Sequence, residues 1–173
     1  MDMTGEYRIA APRDAVWAAL NDVDVLEVCI PGCEEIHQDS PTTMTAKVVQ
    51  KIGPVKARFD GAIELLNIEA PASYTIKGEG QGGVAGFAKG SADVTLEEDG
   101  EETVLRYEAR AQVGGKLAQL GSRIIDGFAK KMADQFFDNL QSSLEGPTEE
   151  TGESAEADED APTKKGWFGR AKT

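Results

Sequence analysis

The sequence predicts an α+β fold in which a curved antiparallel sheet of about six or seven strands wraps a long C-terminal helix, with two short helices after the first strand. Two observations carry this. Leu120, Ile124, Phe128, Met132, Phe136, Leu140 and Leu144 recur at every fourth position, and Leu117, Ile125, Ala129, Ala133 and Phe137 widen that row into a broad apolar stripe. Roughly a hundred residues before it alternate mainly with the period of β-strand. A helix of about 28 residues over 117–144 would be about 42 Å long. It cannot bury such a stripe alone, so the sheet must grip it.

Tyr7-Arg8-Ile9-Ala10 reads as the first strand. Pro12 opens a helix with Val16, Trp17 and Leu20 on its apolar face and Asp14 in its first turn, where the helix dipole favours an acid. Asp22 is placed to cap a second short helix carrying Val25, Leu26 and Val28, which stops before Pro31-Gly32. Alternation then takes over. Met44, Ala46 and Val48 are opposed by Thr45, Lys47 and Val49. Val55, Ala57, Phe59, Gly61, Ile63 and Leu65 against Lys56, Arg58, Asp60, Ala62 and Glu64 form the cleanest one-sided strand. Tyr74 and Ile76 mark the next, Ala92, Val94 and Leu96 another, and Leu105, Tyr107, Ala109, Ala111 and Val113 the last. Short turn signals at Gly53-Pro54, Ala70-Pro71, Gly82-Gly83 and Asp99-Gly100 imply an antiparallel meander.

A meander sorts these turns into two ends. Ile52-Gly53-Pro54, the Gly80 to Gly86 stretch and Gly114-Gly115 fall together, with Lys51, Lys56 and Lys116 nearby; Glu97, Glu98, Asp99, Glu101 and Glu102 fall at the other end. Glycine loops carry little local rigidity. A gate is therefore expected at Gly53, Pro54, Gly82, Gly83, Gly86, Phe87, Gly114 and Gly115, and this end is expected to face a membrane. By strand parity, a ligand cavity is expected to be lined by Val55, Phe59, Ile63, Val84, Leu117, Leu120, Gly121, Ile124 and Phe128. Small residues at Ala118, Gly121, Gly127 and Ala129 would leave the space. The competing reading gives these glycines to tight turns and close helix–sheet packing.

Charge divides the chain further. Net charge is −13, but residues 145–163 hold eight acids and no base, while residues 164–173 hold four bases and no acid. The part before them, with 23 acids and 14 bases, lacks the basic face that nucleic-acid binding requires. Three segments follow: a ligand-binding domain over 1–144, a disordered acidic linker over 145–163 and a basic, aromatic tail over 164–173. As a coil the linker would reach roughly 25 Å. The tail sets Trp167 and Phe168 among Lys164, Lys165, Arg170 and Lys172, a pattern suited to an anionic lipid surface or to docking on a protein; a solvated tail is the plain alternative. The first six residues have neither the basic start nor the apolar run of a signal peptide, so Cys29 and Cys33 are expected to be reduced thiols in a cytosol.

Candidate chemistry is sparse. Cys29, Cys33 and His37 are spaced four apart, but structural zinc needs four ligands and Pro31-Gly32 breaks any helix that would align them. A regulatory disulfide, buried thiols shaping a turn, or part of a partner surface remain for the cysteines. His37 is the only histidine, and no nucleophile or phosphate-loop motif is present. No catalytic or metal-binding residue is assigned, and binding is favoured over catalysis.

Val16-Trp17-Ala18-Ala19-Leu20-Asn21-Asp22, Cys29-Ile30-Pro31-Gly32-Cys33, Lys51-Ile52-Gly53-Pro54-Val55-Lys56, Gly86-Phe87-Ala88-Lys89-Gly90 and the run from Val113 to Gly121 resemble the family of the carbon monoxide dehydrogenase CoxG subunit. The resemblance covers Thr4 to about Leu144. It implies the helix-grip fold of START and Bet v 1-like (SRPBCC) proteins and a non-catalytic role beside a molybdenum hydroxylase of the carbon monoxide dehydrogenase type. It further implies recruitment of that enzyme to the inner face of the cytoplasmic membrane and binding of an apolar ligand: an isoprenoid quinone (menaquinone or ubiquinone) or another lipid. The expected protein is thus cytoplasmic and reversibly membrane-associated. An assembly factor or tether with a fully packed interior is the rival, and an enzyme of the polyketide-cyclase type a third reading.

Overall fold

The computed structural model describes residues 1–145. Lys164, Lys165, Trp167, Phe168, Arg170 and Lys172, with nearly all of the acidic linker, lie outside the described residues. Strand β1 (Asp2–Ile9) leads into helices α1 (Arg13–Leu20) and α2 (Val23–Cys29). Six strands follow: β2 (Cys33–Ser40), β3 (Thr43–Ile52), β4 (Val55–Glu69), β5 (Ser73–Gln81), β6 (Phe87–Asp99) and β7 (Glu102–Gly114). A short helix α3 (Lys116–Gln119) and the long helix α4 (Ser122–Glu145) complete the fold.

All seven strands form one antiparallel sheet in the order β1-β7-β6-β5-β4-β3-β2. Strands β3 to β7 are the expected meander, β2 extends it by one strand, and β1 adds to the free edge of β7. Pairing makes β1 longer than its apolar residues suggest, with Asp2 opposite Arg110 and Ile9 opposite Thr103. Strand β2 was not expected from the sequence. It is an edge strand whose single buried side chain is Ile36, so period-2 apolarity is almost absent. As expected, Asp22 caps α2 by accepting the Asp24 N–H at 2.9 Å. That helix buries Leu26 and Cys29 and leaves Val28 exposed.

The expected continuous helix over 117–144 is in fact two. Gly121, at φ +91°, turns the chain between α3 and α4. The i, i+4 row runs through this break because Leu120 and Ile124 both face the same turn, β3–β4. A side chain at Gly53 would come within 3.9 Å of Leu120 and 3.6 Å of Ile124.

The two halves of the gripped interior are filled differently. Toward the acidic turns, Leu65, Tyr74, Val94, Leu96 and Leu105 project inward and are buried beside Ile9 and Val16, and the Trp17 ring meets Tyr74 edge-on at 5.1 Å. The second half of α4 is anchored there. Phe137 stacks on Tyr7 at 4.3 Å, the Tyr7 hydroxyl donates to Asp134, the Asn139 amide donates to the Cys29 carbonyl at 3.0 Å, and Leu140 is completely buried. Toward the glycine-rich turns the inward rows are small: Ala46 lies opposite Gly61, Gly61 opposite Gly80, Gly78 opposite Gly90, Gly90 opposite Ala111, and Ala92 opposite Ala109. Glycine and alanine at inward positions leave a floor with almost no side-chain height.

Candidate functional site: an apolar cavity at the glycine-rich end

Over the β6–β7 part of that floor, roofed by α3 and the first turns of α4, lies a cavity of about 640 Å³. Its walls are Ile52, Phe87, Ala88, Ala111, Val113, Leu117, Ala118, Gly121, Ile125, Phe128 and Ala129, with Met1, Gln112, Ser122 and Asp126 completing the lining. Leu117, 1% exposed, is packed with Ile52 and Ile125, and Val55, Phe59, Val113, Leu120 and Phe128 close around these three.

The expected lining residues are only partly assembled. Leu117, Gly121 and Phe128 line the cavity itself; Val55, Phe59 and Leu120 form the cluster beside it. Ile63 sits farther along β4, opposite Met44 and Gly78, and does not line it. Ile124 is 41% exposed above the Gly53 turn, and Val84 is 87% exposed. Val84 belongs to a 3-10 turn, Gly83–Ala85, where strand parity has no meaning. Gly127, exposed on the outer side of α4, contributes no space to the interior.

The expected gate also changes character. A side chain at Gly82 would collide with the Phe59 ring, one at Gly114 with the Phe87 ring, and the backbones of Gly86 and Gly115 touch, with a Cβ on Gly115 only 2.6 Å from the Gly86 Cα. The Gly82 N–H donates to the Gly86 carbonyl at 2.7 Å. These four glycines are therefore closely packed rather than free loops. Gly53 and Pro54 are exposed in the β3–β4 turn, Gly83 is unobstructed, and Phe87 is part of the cavity wall. Gly80, expected in a turn, belongs to β5, and the inward glycines Gly78 and Gly90, paired across β5 and β6, formed no part of the expected site.

Chemically the cavity is poor in reactive groups. Asp126 is its single titratable side chain, and it is exposed; the Met1 amino group donates to the Ala111 carbonyl at 3.0 Å. An acid–base pair needs two convergent groups within hydrogen-bond reach of a substrate. His37 points outward on β2, 3.8 Å from Glu35. Cys29 and Cys33 are free thiols. Burial pushes both thiols up from their ordinary pKa, and the Glu27 and Glu35 carboxylates add to this for Cys33, so neither is an activated nucleophile. Among the described residues no cluster of His, Cys, Asp and Glu could hold a metal ion. A larger depression of about 800 Å³ lies on the outer face of the sheet, but Glu64, Lys77, Glu79, Lys89 and Arg110 line it. The smaller inner cavity, half open and lined mainly by apolar groups, is the candidate ligand site.

Residues 5–145 match the family model of the carbon monoxide dehydrogenase CoxG subunit. The chain belongs to the CoxG family. A conserved protein from Geobacillus kaustophilus is similar in structure, with 30% identity, a TM-score of 0.79, and coverage of 83% of this chain and 95% of that one. A START superfamily protein from Mycobacterium smegmatis shares the fold at 13% identity and TM-score 0.65, over 83% of this chain and 97% of that one. So does the ZhuI aromatase/cyclase from Streptomyces sp. R1128, at 13% identity and TM-score 0.60, over 84% and 93%. No curated protein matches the chain. Family and fold together describe a CoxG-family chain with a START-like fold.

Proposed function

We propose that this CoxG-family protein carries an isoprenoid quinone, or a lipid of similar apolar character, between the cytoplasmic membrane and a molybdenum hydroxylase of the carbon monoxide dehydrogenase type. The observation that carries the reading is the cavity of about 640 Å³ over Ala88 and Ala111, lined mainly by apolar groups. That volume falls within the range of small-molecule sites, roughly 300–1,000 Å³. An oxidising enzyme in water needs a route to an electron acceptor that water does not dissolve, and a shielded apolar cavity provides one without supplying any chemistry. The cationic, aromatic tail suits transient attachment to anionic lipid, at about 1 kcal/mol per cation.

Native mass spectrometry of the purified chain, followed by organic extraction, tests the carrier. A retained neutral lipid, lost when Ala111→Leu raises the cavity floor, is the expected result. A chain that retains no lipid and takes up no added menaquinone would leave only the tether reading.

A further inference from the structure

We infer that the folded domain itself carries a docking face for an anionic bilayer, at the glycine-rich end and separate from the tail. This rests on the membrane reading above and specifies which surface of the domain makes the contact. Val84, 87% exposed at the tip of its 3-10 turn, and Ile124, 41% exposed over the Gly53 turn, are the aliphatic groups presented at this end. Residues 50–57, 80–88 and 112–125, which build it, contain four bases (Lys51, Lys56, Lys116, Arg123) and no acid, in a chain of net charge −13, with the exposed Asp126 of the cavity lining as the acid that follows them. All four bases are exposed, and none is ion-paired among the described residues.

The opposite end has the reverse character. Glu97, Glu98, Asp99, Glu101 and Glu102 gather there, answered in part by Arg8, Arg13 and Arg106. Anionic headgroups therefore orient the domain with Val84 toward the lipid. An exposed valine on a short turn, at an end that carries four exposed cations, inserts at the headgroup boundary while the lysines meet phosphate. The same end carries α3 and Gly121, which line the cavity, so docking there brings the cavity close to the surface from which an apolar ligand would come. Stable attachment to a bilayer generally takes two signals. The tail and this face would supply them, each raising the effective concentration of the other.

Vesicles of phosphatidylglycerol and phosphatidylcholine, sedimented with the full chain at low and physiological salt, test the face. Val84→Asp and the double variant Lys51→Glu/Lys56→Glu should each lower the partition coefficient by about tenfold or more. Ile68→Asp, at a residue 43% exposed near the opposite end, should leave it unchanged. All these sites are at the surface, and circular dichroism confirms that each variant is folded. If the wild-type chain partitions and the end-face variants partition equally, the docking face is wrong and the tail alone makes the contact. Should the wild-type chain fail to partition even at low salt, the membrane reading itself falls, and this inference with it. Loss of binding to the hydroxylase, with vesicle binding intact, would give the face to a protein partner and overturn the proposal.

Discussion

Gly121 and Gly127 make a matched pair that tests whether the cavity roof is hinged. Nothing lies within 4 Å of a side chain added at either position. The difference is backbone: Gly121 sits at φ +91° between α3 and α4, whereas Gly127 is inside α4 without a positive φ. Replacing glycine by alanine removes unfolded-state freedom and stabilises by about 0.4–1 kcal/mol where the native backbone suits alanine. At Gly127 that gain should appear in full. At Gly121 the left-handed region costs a side chain about 1–3 kcal/mol, so the net effect should be a loss of about 1 kcal/mol. The two variants should differ by about 2 kcal/mol, or roughly 4–8 °C in Tm for a domain of this size. Differential scanning calorimetry or urea denaturation reads this directly. If Gly121→Ala stabilises as much as Gly127→Ala, α3 and α4 merge into the unbroken helix that the leucine spacing suggests, and the hinged roof does not exist.

Leu117→Ala should cost about 2–3 kcal/mol by urea denaturation, the low end for a buried leucine, because its surroundings already include a cavity; a loss near 5 kcal/mol would mean a closely packed interior. Tyr7→Phe should flatten the acid limb of a Tm-against-pH curve. The Tyr7 O–H, and then Lys130, hold the Asp134 carboxyl below its usual range, so this contribution is present above the ordinary carboxylate pKa of about 3.9 and lost as pH falls through the lowered folded value. Tyr7 is itself pushed up by burial and by its bond to Asp134, so its share is full below about pH 10 and lost as pH rises beyond; an unchanged profile in the variant would refute both. Hydrogen exchange should be faster over 116–128 than over 134–140, and equal protection would argue against an opening roof. Trp167→Ala/Phe168→Ala should weaken binding to anionic vesicles, and raised salt should weaken it further; full retention would make the tail a solvated appendage.

Where one face of a strand was apolar and the other charged, the sequence was legible. The Val55-to-Leu65 and Leu105-to-Val113 alternations placed β4 and β7 with the correct faces inward, and Asp22 marked the start of α2. Strand β2 escaped because an edge strand packs on one neighbour only, and Glu34, Glu35, Gln38 and Asp39 mask its one buried isoleucine. The break at Gly121 escaped because apolar spacing records which way side chains face, not whether the backbone between them is continuous; Gly121 before Ser122 was the visible stop signal. Val84 was misplaced by extending strand parity into a turn. The cavity floor could not be read at all from single strands. A void consists of missing side chains, and only the β6–β7 register, which sets Ala88 against Val113 and Gly90 against Ala111, brings the two lining alanines together.

This register also explains why the opening is at one end of a single long helix. The half of α4 near Leu140 is held by a hydrogen bond to α2, a stacked aromatic pair and a tyrosine–aspartate bond, whereas the half near Gly121 rests on the Ile52–Leu117–Ile125 cluster and otherwise overhangs alanine and glycine. Local opening costs least where buried apolar contact is sparse. The roof can therefore lift at the Gly121 end while the other end keeps the helix registered on the sheet. That end also has Val84 at its surface and no acid in the three segments that build it. On the function proposed above, ligand exchange, helix mobility and charge would share one pole of the molecule, and the acidic pole would be left to a role that does not need the cavity to open.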